Sequence, residues 1–286
     1  MKEKKSDIAI WGRVPPPIGG MAVHLRRLLP HLKRVGVTTH MYSIRLVTPY
    51  HPEVTQVSHR KLRWFLSIFF SRSENIHYVL TEHSLARAAA VLLTLRSKKV
   101  VLRVGGGRIS APELKFKFWD RLLLKFAFSR ATAVIGVSEE ICSRIKFLGG
   151  KRVIHVPGFI YESNVNQNLP PDLEIFLSKN QLPVLLSVGE IRDPWDNDLW
   201  GSNFLLNLLM QNTNLRVVFC AYRISKGTNP QTRLRNEISK RGLQGRYLIL
   251  EEVPDLITIM RHCQLFVRPT TTDGDSNSIR EALNYG

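Results

Sequence analysis

Short apolar runs rich in Val, Ile and Leu alternate with longer amphipathic runs along the whole chain. Apolar positions repeating at helical spacing argue for helices, and compact β-branched runs bounded by polar residues argue for buried strands. Strands are expected over 7–12 (DIAIWG), 37–44, 76–80 (IHYVL), 99–104 (KVVLRV), 132–136 and 152–156. A second set follows at 183–188 (PVLLSV), 215–221 (LRVVFCA), 247–250 and 264–268. Helical runs fall near 21–35, 58–71, 84–96, 112–129, 138–147, 201–211, 230–241 and 254–262. Strands that are apolar throughout and separated by helices predict parallel sheets covered on both faces, joined by right-handed crossovers. The alternation restarts after the polar, Pro-containing stretch 157–182. That places a linker at 161–182 between an N-terminal domain, 1–160, and a C-terminal domain, 183–286. The expected fold class is α/β: two Rossmann-like, doubly wound domains facing a cleft. The second sheet reads as incomplete, because another strand and helix are needed after EALNYG to cover it; the expectation is a truncated chain.

The richest stretch for chemistry is FVRPTTTDGDSNSIREALNYG, 266–286. An apolar strand ends at Arg268-Pro269, where proline removes a backbone donor. A polar loop leads to Ser276, Asn277 and Ser278, residue types that cap helix N-termini. The N–H groups and dipole at such a terminus favour an anion such as a phosphate. Two carboxylates bracket the terminus, Asp273 before the cap and Glu281 on the helix. Near the chain start, Gly19-Gly20 sits at a strand-to-helix turn, where missing side chains permit close approach of a ligand. It is not a G-x-G-x-x-G fingerprint, so no dinucleotide cofactor is indicated.

With 286 residues, 44% hydrophobic and 22% charged, the chain has the composition of a globular protein long enough for two cores. Its three cysteines, Cys142, Cys220 and Cys263, are scattered and read as small buried hydrophobes. Neither a signal-peptide h-region nor an uninterrupted apolar span of membrane-crossing length is found. The formal net charge of +18 is unevenly placed: residues 1–160 hold 28 Lys and Arg against 9 acids, and residues 161–286 hold 13 against 14. A cationic half beside a neutral one points to a polyanionic partner: nucleic acid, an anionic lipid surface or a phosphorylated acceptor.

Four segments, in order, resemble those of the family 4 retaining glycosyltransferases. They are IGGMAVHLRRLLPHLKRVGV, RATAVIGVSEEICSRIKFLGGKRVIHVPGFI, PVLLSVGEIRDPWDNDLWGSNFLLNLL and the terminal stretch, which is similar to the family's E-x7-E segment with Asp273 in the first Glu position and Glu281 in the second. The resemblance covers nearly the whole chain. It implies a GT-B fold and transfer of a sugar, with retention, from a nucleotide diphosphate sugar to a growing, lipid-linked glycan. It further implies that Glu281 holds ribose hydroxyls and that Asp273 faces the donor sugar. The diphosphate would lie against Ser276, Asn277 and Ser278, Gly19 and Gly20, and Arg192, with no metal and no cofactor. Two departures stand out. Glu190 and Trp200 occupy the positions where the family carries its phosphate-binding Arg and Lys, leaving Arg192 as the nearby cation. Gly105-Gly106-Gly107 replaces the family's H-G turn, with His83 after the preceding strand as the substitute on offer.

Two basic stretches, 59–73 (HRKLRWFLSIFFSRS) and 114–130 (LKFKFWDRLLLKFAFSR), set aromatic residues among cations, which suits an interfacial helix on an anionic bilayer. Their apolar residues suit the core of the first domain equally. No zinc spacing, helix-turn-helix or RNA-binding signature supports nucleic acid as the partner. Neither Asp196-Asn197-Asp198 nor Asp273–Asp275 is read as a metal site. The expectation is therefore a glycosyltransferase, cytoplasmic and peripheral on the inner face of a membrane, serving cell-surface polysaccharide synthesis. The competing expectation is a non-catalytic, truncated relative that binds membrane or a partner through its basic half.

Overall fold

The computed structural model describes residues 7–12, 20–43, 54–56, 68, 76–81, 84–96, 98–105, 118–160, 168–191, 198–224, 230–251, 253, 255–270 and 275–285. In chain order the first half gives β1 (Ile8–Gly12), α1 (Gly20–Arg34), β2 (Thr39–Ser43), β3 (Val54–Gln56), β4 (Ile76–Leu80), α2 (Ser84–Leu95), β5 (Lys99–Val104), α3 (Phe118–Arg130), β6 (Ala133–Gly136), α4 (Glu139–Phe147) and β7 (Val153–His155). The second half gives α5 (Pro171–Ser178), β8 (Val184–Ile191), α6 (Ser202–Gln211), β9 (Arg216–Ile224), α7 (Pro230–Lys240), β10 (Tyr247–Glu251), α8 (Leu256–Met260), β11 (Leu265–Phe266) and α9 (Asn277–Tyr285).

Among the described residues the strands of the first sheet are all parallel, in the order β3-β2-β1-β4-β5-β6-β7. The order reverses beside β1, as in doubly wound folds, whose ligands lie outside the carboxyl ends of the strands at such a switch point. The second sheet is parallel as well, ordered β10-β9-β8-β11, with its switch point between β8 and β11. The α/β class and the doubly wound parallel sheets expected from the alternation are both present. The chain divides into two compact units, one built mainly on residues 20–160 and the other mainly on 161–272 and 276–286.

Each unit has its own apolar interior. In the first, Leu102, Val104, Val134 and Val79 of the strands pack on Ala89, Leu93, Leu124 and Phe128 of α2 and α3. In the second, Leu205 and Leu209 of α6 and Leu234 of α7 cover one sheet face, while Leu173 and Phe176 of α5 and Ile259 of α8 cover the other. Burial of side chains this size stabilises each unit by roughly 1.5–3 kcal/mol per residue. Helix α5 lies inside the stretch expected to be linker and was not anticipated. Arg216 of β9, almost wholly buried, fastens it: its guanidinium donates to the carbonyl of Phe176 at 2.6 Å and to that of Leu182 at 2.9 Å, and it stacks on the Phe176 ring.

Gly201, at the entrance to α6, has φ of 73°, and a side chain there would bring its Cβ to 2.7 Å from the Pro269 carbonyl oxygen and into Pro269 Cγ. Gly201→Ala is accordingly expected to cost at least about 2 kcal/mol through backbone strain and overlap. A drop in the denaturant midpoint without a change in slope checks this; an unchanged midpoint refutes it.

Candidate functional site

The carboxyl ends of β8 and β11 meet α9 at the switch point of the second sheet. Ser276 caps α9, its Oγ accepting the backbone N–H of Ile279 at 3.4 Å, while Ser278 Oγ lies 2.8 Å from Ser276 Oγ. Capping by a hydroxyl is what the Ser-Asn-Ser triplet leads one to expect. Ser278 and Glu281 are three positions apart, hence on one face of the helix, and both are buried. So the structure brings Ser276, Asn277, Ser278 and Glu281 together in the first turns of α9, with Glu281 facing the protein rather than bulk solvent.

Arg268 ties this helix end to the sheet. Its Nη1 donates to the Val188 carbonyl of β8 at 3.2 Å and to Ser278 Oγ at 3.3 Å, and its guanidinium lies 4.8 Å from the centroid of the Trp200 ring. Trp200 in turn packs closely over Gly189, where any side chain would meet the Trp200 Cβ at 2.6 Å. The cation therefore sits between the end of β8 and the N-terminus of α9, stacked on an indole face, an arrangement that suits a fork-shaped donor aimed at phosphate oxygens. Sequence reading treated Arg268 only as the last residue of a strand. The signal that identifies it is spatial: Trp200 and Val188 lie far upstream in sequence.

Asp198 is occupied elsewhere. Its carboxylate accepts Ser202 Oγ at 2.9 Å and the backbone N–H groups of Asn203 and Phe204 at 2.8 and 3.1 Å, closing the N-terminus of α6. Among the described residues no group of three or more His, Cys, Asp or Glu side chains is placed to hold a metal ion. Glu190, where the resemblance expects an Arg, is buried near the end of β8. Asp273, Arg192, Gly19 and His83 lie outside the described residues, as do Gly106 and Gly107. Gly20 opens α1 in the first unit, exposed and with open space around its Cα.

The first unit has a polar cluster of its own on the α1 side of β4 and β5. His24 Nδ1 donates to the Gly158 carbonyl at 3.1 Å, and its Nε2 faces the Tyr78 hydroxyl at 3.4 Å. Arg103, buried, donates to the Pro157 carbonyl. Burial, then the nearby Arg103 charge, holds the His24 pKa down at about 4. His77 is likewise lowered to about 4, by burial first and the charges of Lys98 and Arg96 after it; its Nδ1 accepts the Trp11 indole N–H at 3.1 Å.

No protein-family model matches the sequence, and no curated protein matches it either. Solved structures do. HepE from Anabaena, crystallised with UDP-glucose, superposes with a TM-score of 0.75 at 16% identity, covering 97% of this chain and 78% of that one. Sucrose-phosphate synthase from Thermosynechococcus elongatus gives 0.72 at 14%, covering 98% and 79%. WaaB, a lipopolysaccharide outer core galactosyltransferase, gives 0.62 at 12%, covering 97% and 78%. The fold is GT-B. At these identities the likeness speaks for the fold, and the chemistry has to be argued from the site.

Proposed function

We propose that the chain is a glycosyltransferase that takes a sugar, with retention, from a nucleotide diphosphate sugar and passes it to a lipid-linked glycan in cell-surface polysaccharide synthesis. The observation that carries the reading is Arg268, bonded to Val188 and Ser278 and stacked on Trp200 at the switch point of the second sheet. That is where doubly wound sheets receive ligands, and it joins a fixed cation to a helix N-terminus, a combination suited to a diphosphate. The structural neighbours support a nucleotide-sugar enzyme: one was crystallised with UDP-glucose, and another is a lipopolysaccharide outer core galactosyltransferase.

In the proposed reaction the leaving diphosphate gains negative charge as the glycosidic bond breaks. Arg268 and the N–H groups of α9 stabilise that charge, with Arg192 and the Gly19-Gly20 turn contributing if the donor reaches them. Glu281 holds the ribose hydroxyls, and Asp273 offsets positive charge on the sugar. The fixed cation and dipole take the place a metal would fill, so neither a metal nor a cofactor enters the proposal. The protein is placed on the inner membrane face, in the cytoplasm, because its acceptor is lipid-linked and residues 1–160 are strongly cationic. No helix among the described residues is long and apolar enough to cross a membrane.

Glu190 favours a second reading, a non-catalytic relative, since it puts a carboxylate where the resemblance expects a phosphate-binding Arg. One experiment separates the two. UDP, GDP and ADP are added in turn, and the midpoint of thermal unfolding is followed with and without chelator. The enzyme reading expects one of them to raise the midpoint by mass action on the folded state, unaffected by chelator. Glu281→Gln should weaken that ligand by roughly 1 kcal/mol, because a charge-assisted bond becomes neutral. No shift with any nucleotide supports the non-catalytic reading, and a shift that needs added magnesium refutes the metal-free mechanism.

A further inference from the structure

Helix α3 is apolar on both sides. Leu124, Ala127 and Phe128 are buried in the first unit, as an ordinary amphipathic helix requires. The opposite face carries Trp119, 70% exposed, Leu122, 48% exposed, and Phe126 beside them. Positions 119, 122 and 126 stand one turn apart along a single stripe. Lys125 and Arg130 flank the stripe, both exposed, and the Arg130 guanidinium lies over the Phe126 ring at 5.0 Å.

The turn after α4 lies along the flank of α3 that carries Lys125: a side chain at Gly149 would touch Lys125 Cγ at 3.9 Å and Ser129 Cβ at 4.0 Å. Two residues before that glycine, Phe147 is 67% exposed, with Arg144 over its ring at 5.0 Å. Lys146, Lys151 and Arg152 are exposed around the same turn. Across 118–156 the chain carries seven Lys and Arg against three acids, two of which, Glu139 and Glu140, sit in the first turn of α4, at the far end from Phe147.

We infer that this face of α3 and the C-terminal turn of α4 form a docking surface for an anionic lipid bilayer. The inference rests on the proposed function, since it supplies the surface by which that enzyme would reach a lipid-borne acceptor. An exposed Trp and Phe ringed by Lys and Arg match the interfacial zone, where aromatic rings sit at headgroup level and long cationic side chains reach phosphates while their stems cover apolar surface. Protein interfaces are depleted in Lys, whereas here Lys125, Lys146 and Lys151 surround the aromatics. Charge complementarity with anionic headgroups therefore decides for the bilayer over a protein partner.

The test uses the full chain and vesicles of phosphatidylcholine with or without phosphatidylglycerol. The unaltered protein is expected to float with the anionic vesicles only, and its Trp emission should shift to the blue on adding them. A triple variant, Trp119→Ser, Leu122→Ser and Phe147→Ser, should lose at least ten-fold in vesicle affinity, as should Lys125→Glu with Arg130→Glu, both with unchanged melting points. Equal flotation of these variants overturns the inference. So does flotation abolished only by Arg60→Glu, Lys61→Glu and Arg63→Glu, or failure of the unaltered chain to float while the triple variant converts a dimer to a monomer in light scattering. A nucleotide-induced thermal shift is read on the same samples. If it persists without flotation, this surface fails while the donor-site reading stands; if it is absent while flotation depends on the patch, the reverse holds.

Discussion

Acidification from pH 7 to pH 4 should strip several kcal/mol from the stability of the protein, and two histidines of the first unit should account for most of the loss. His24 and His77 are buried, and both have a folded-state pKa near 4. An unfolded histidine titrates near 6.5, so between those values the unfolded chain binds protons that the folded chain refuses. The contribution is fully present above pH 6.5 and is lost as pH falls from 6.5 towards 4. Each histidine then costs about 3 kcal/mol, a large share of the stability of an ordinary domain.

Burial is the first reason that neither ring accepts a proton readily, and neighbouring cations add to it. The Trp11 N–H points at His77 Nδ1, so protonating that nitrogen would set two donors against each other. His24 donates Nδ1–H to the Gly158 carbonyl, and in the neutral ring Nε2 is left to accept the Tyr78 hydroxyl. Thermal melts at pH 7, 5.5 and 4 measure the loss. His77→Gln keeps an acceptor for Trp11 and removes the titration, so its stability should vary less with pH by about 3 kcal/mol over that range. An unchanged pH dependence in this variant would show that the loss arises from other groups.

The parallel sheets were legible because their strands are continuous apolar runs: IHYVL and KVVLRV appear as β4 and β5 over the expected residues. Strand β3, three residues of mixed character, has no such signature and is recognisable only from its pairing with β2. Helix α5 escaped because Pro170, Pro171 and the polar residues before them read as linker. What makes it helical is tertiary, namely the burial of Leu173 and Phe176 and the grip of Arg216. Of the stretch 112–129 read as one helix, α3 covers the part from Phe118 among the described residues, while 59–67 and 69–73 lie outside them. At the candidate site, the cap at Ser276 was readable from residue types alone. The cation was not, because strand-terminal Arg268 gains its meaning from Trp200 and Val188, which the fold brings to it. Arg192, the cation nearest in sequence to the missing Arg, lies outside the described residues, and Arg268, two residues past β11, is a cation the described residues place at this site.

Arg268→Ala should therefore weaken nucleoside diphosphate binding by roughly 10- to 100-fold, the equivalent of losing one or two charge-assisted bonds. The same side chain also links β8 to α9, so some stability should go with it: the contacts to the Val188 carbonyl and Ser278 Oγ are lost together. The two effects separate by measurement. The melting point without ligand reports the structural part, and calorimetric titration well below that temperature reports affinity. Arg268→Lys sharpens the test, because lysine keeps the positive charge but lacks the planar fork and the flat face that rests on Trp200. If Arg268 served only as a point charge, Lys would restore binding almost fully; if it forks onto phosphate oxygens while held flat on the indole, Lys should recover no more than a few-fold. Raising salt should weaken the unaltered protein more than Arg268→Ala, since the lost interaction is the screened one. Unchanged affinity in a folded Arg268→Ala protein would remove Arg268 from the donor site and leave it a purely structural tie between β8 and α9.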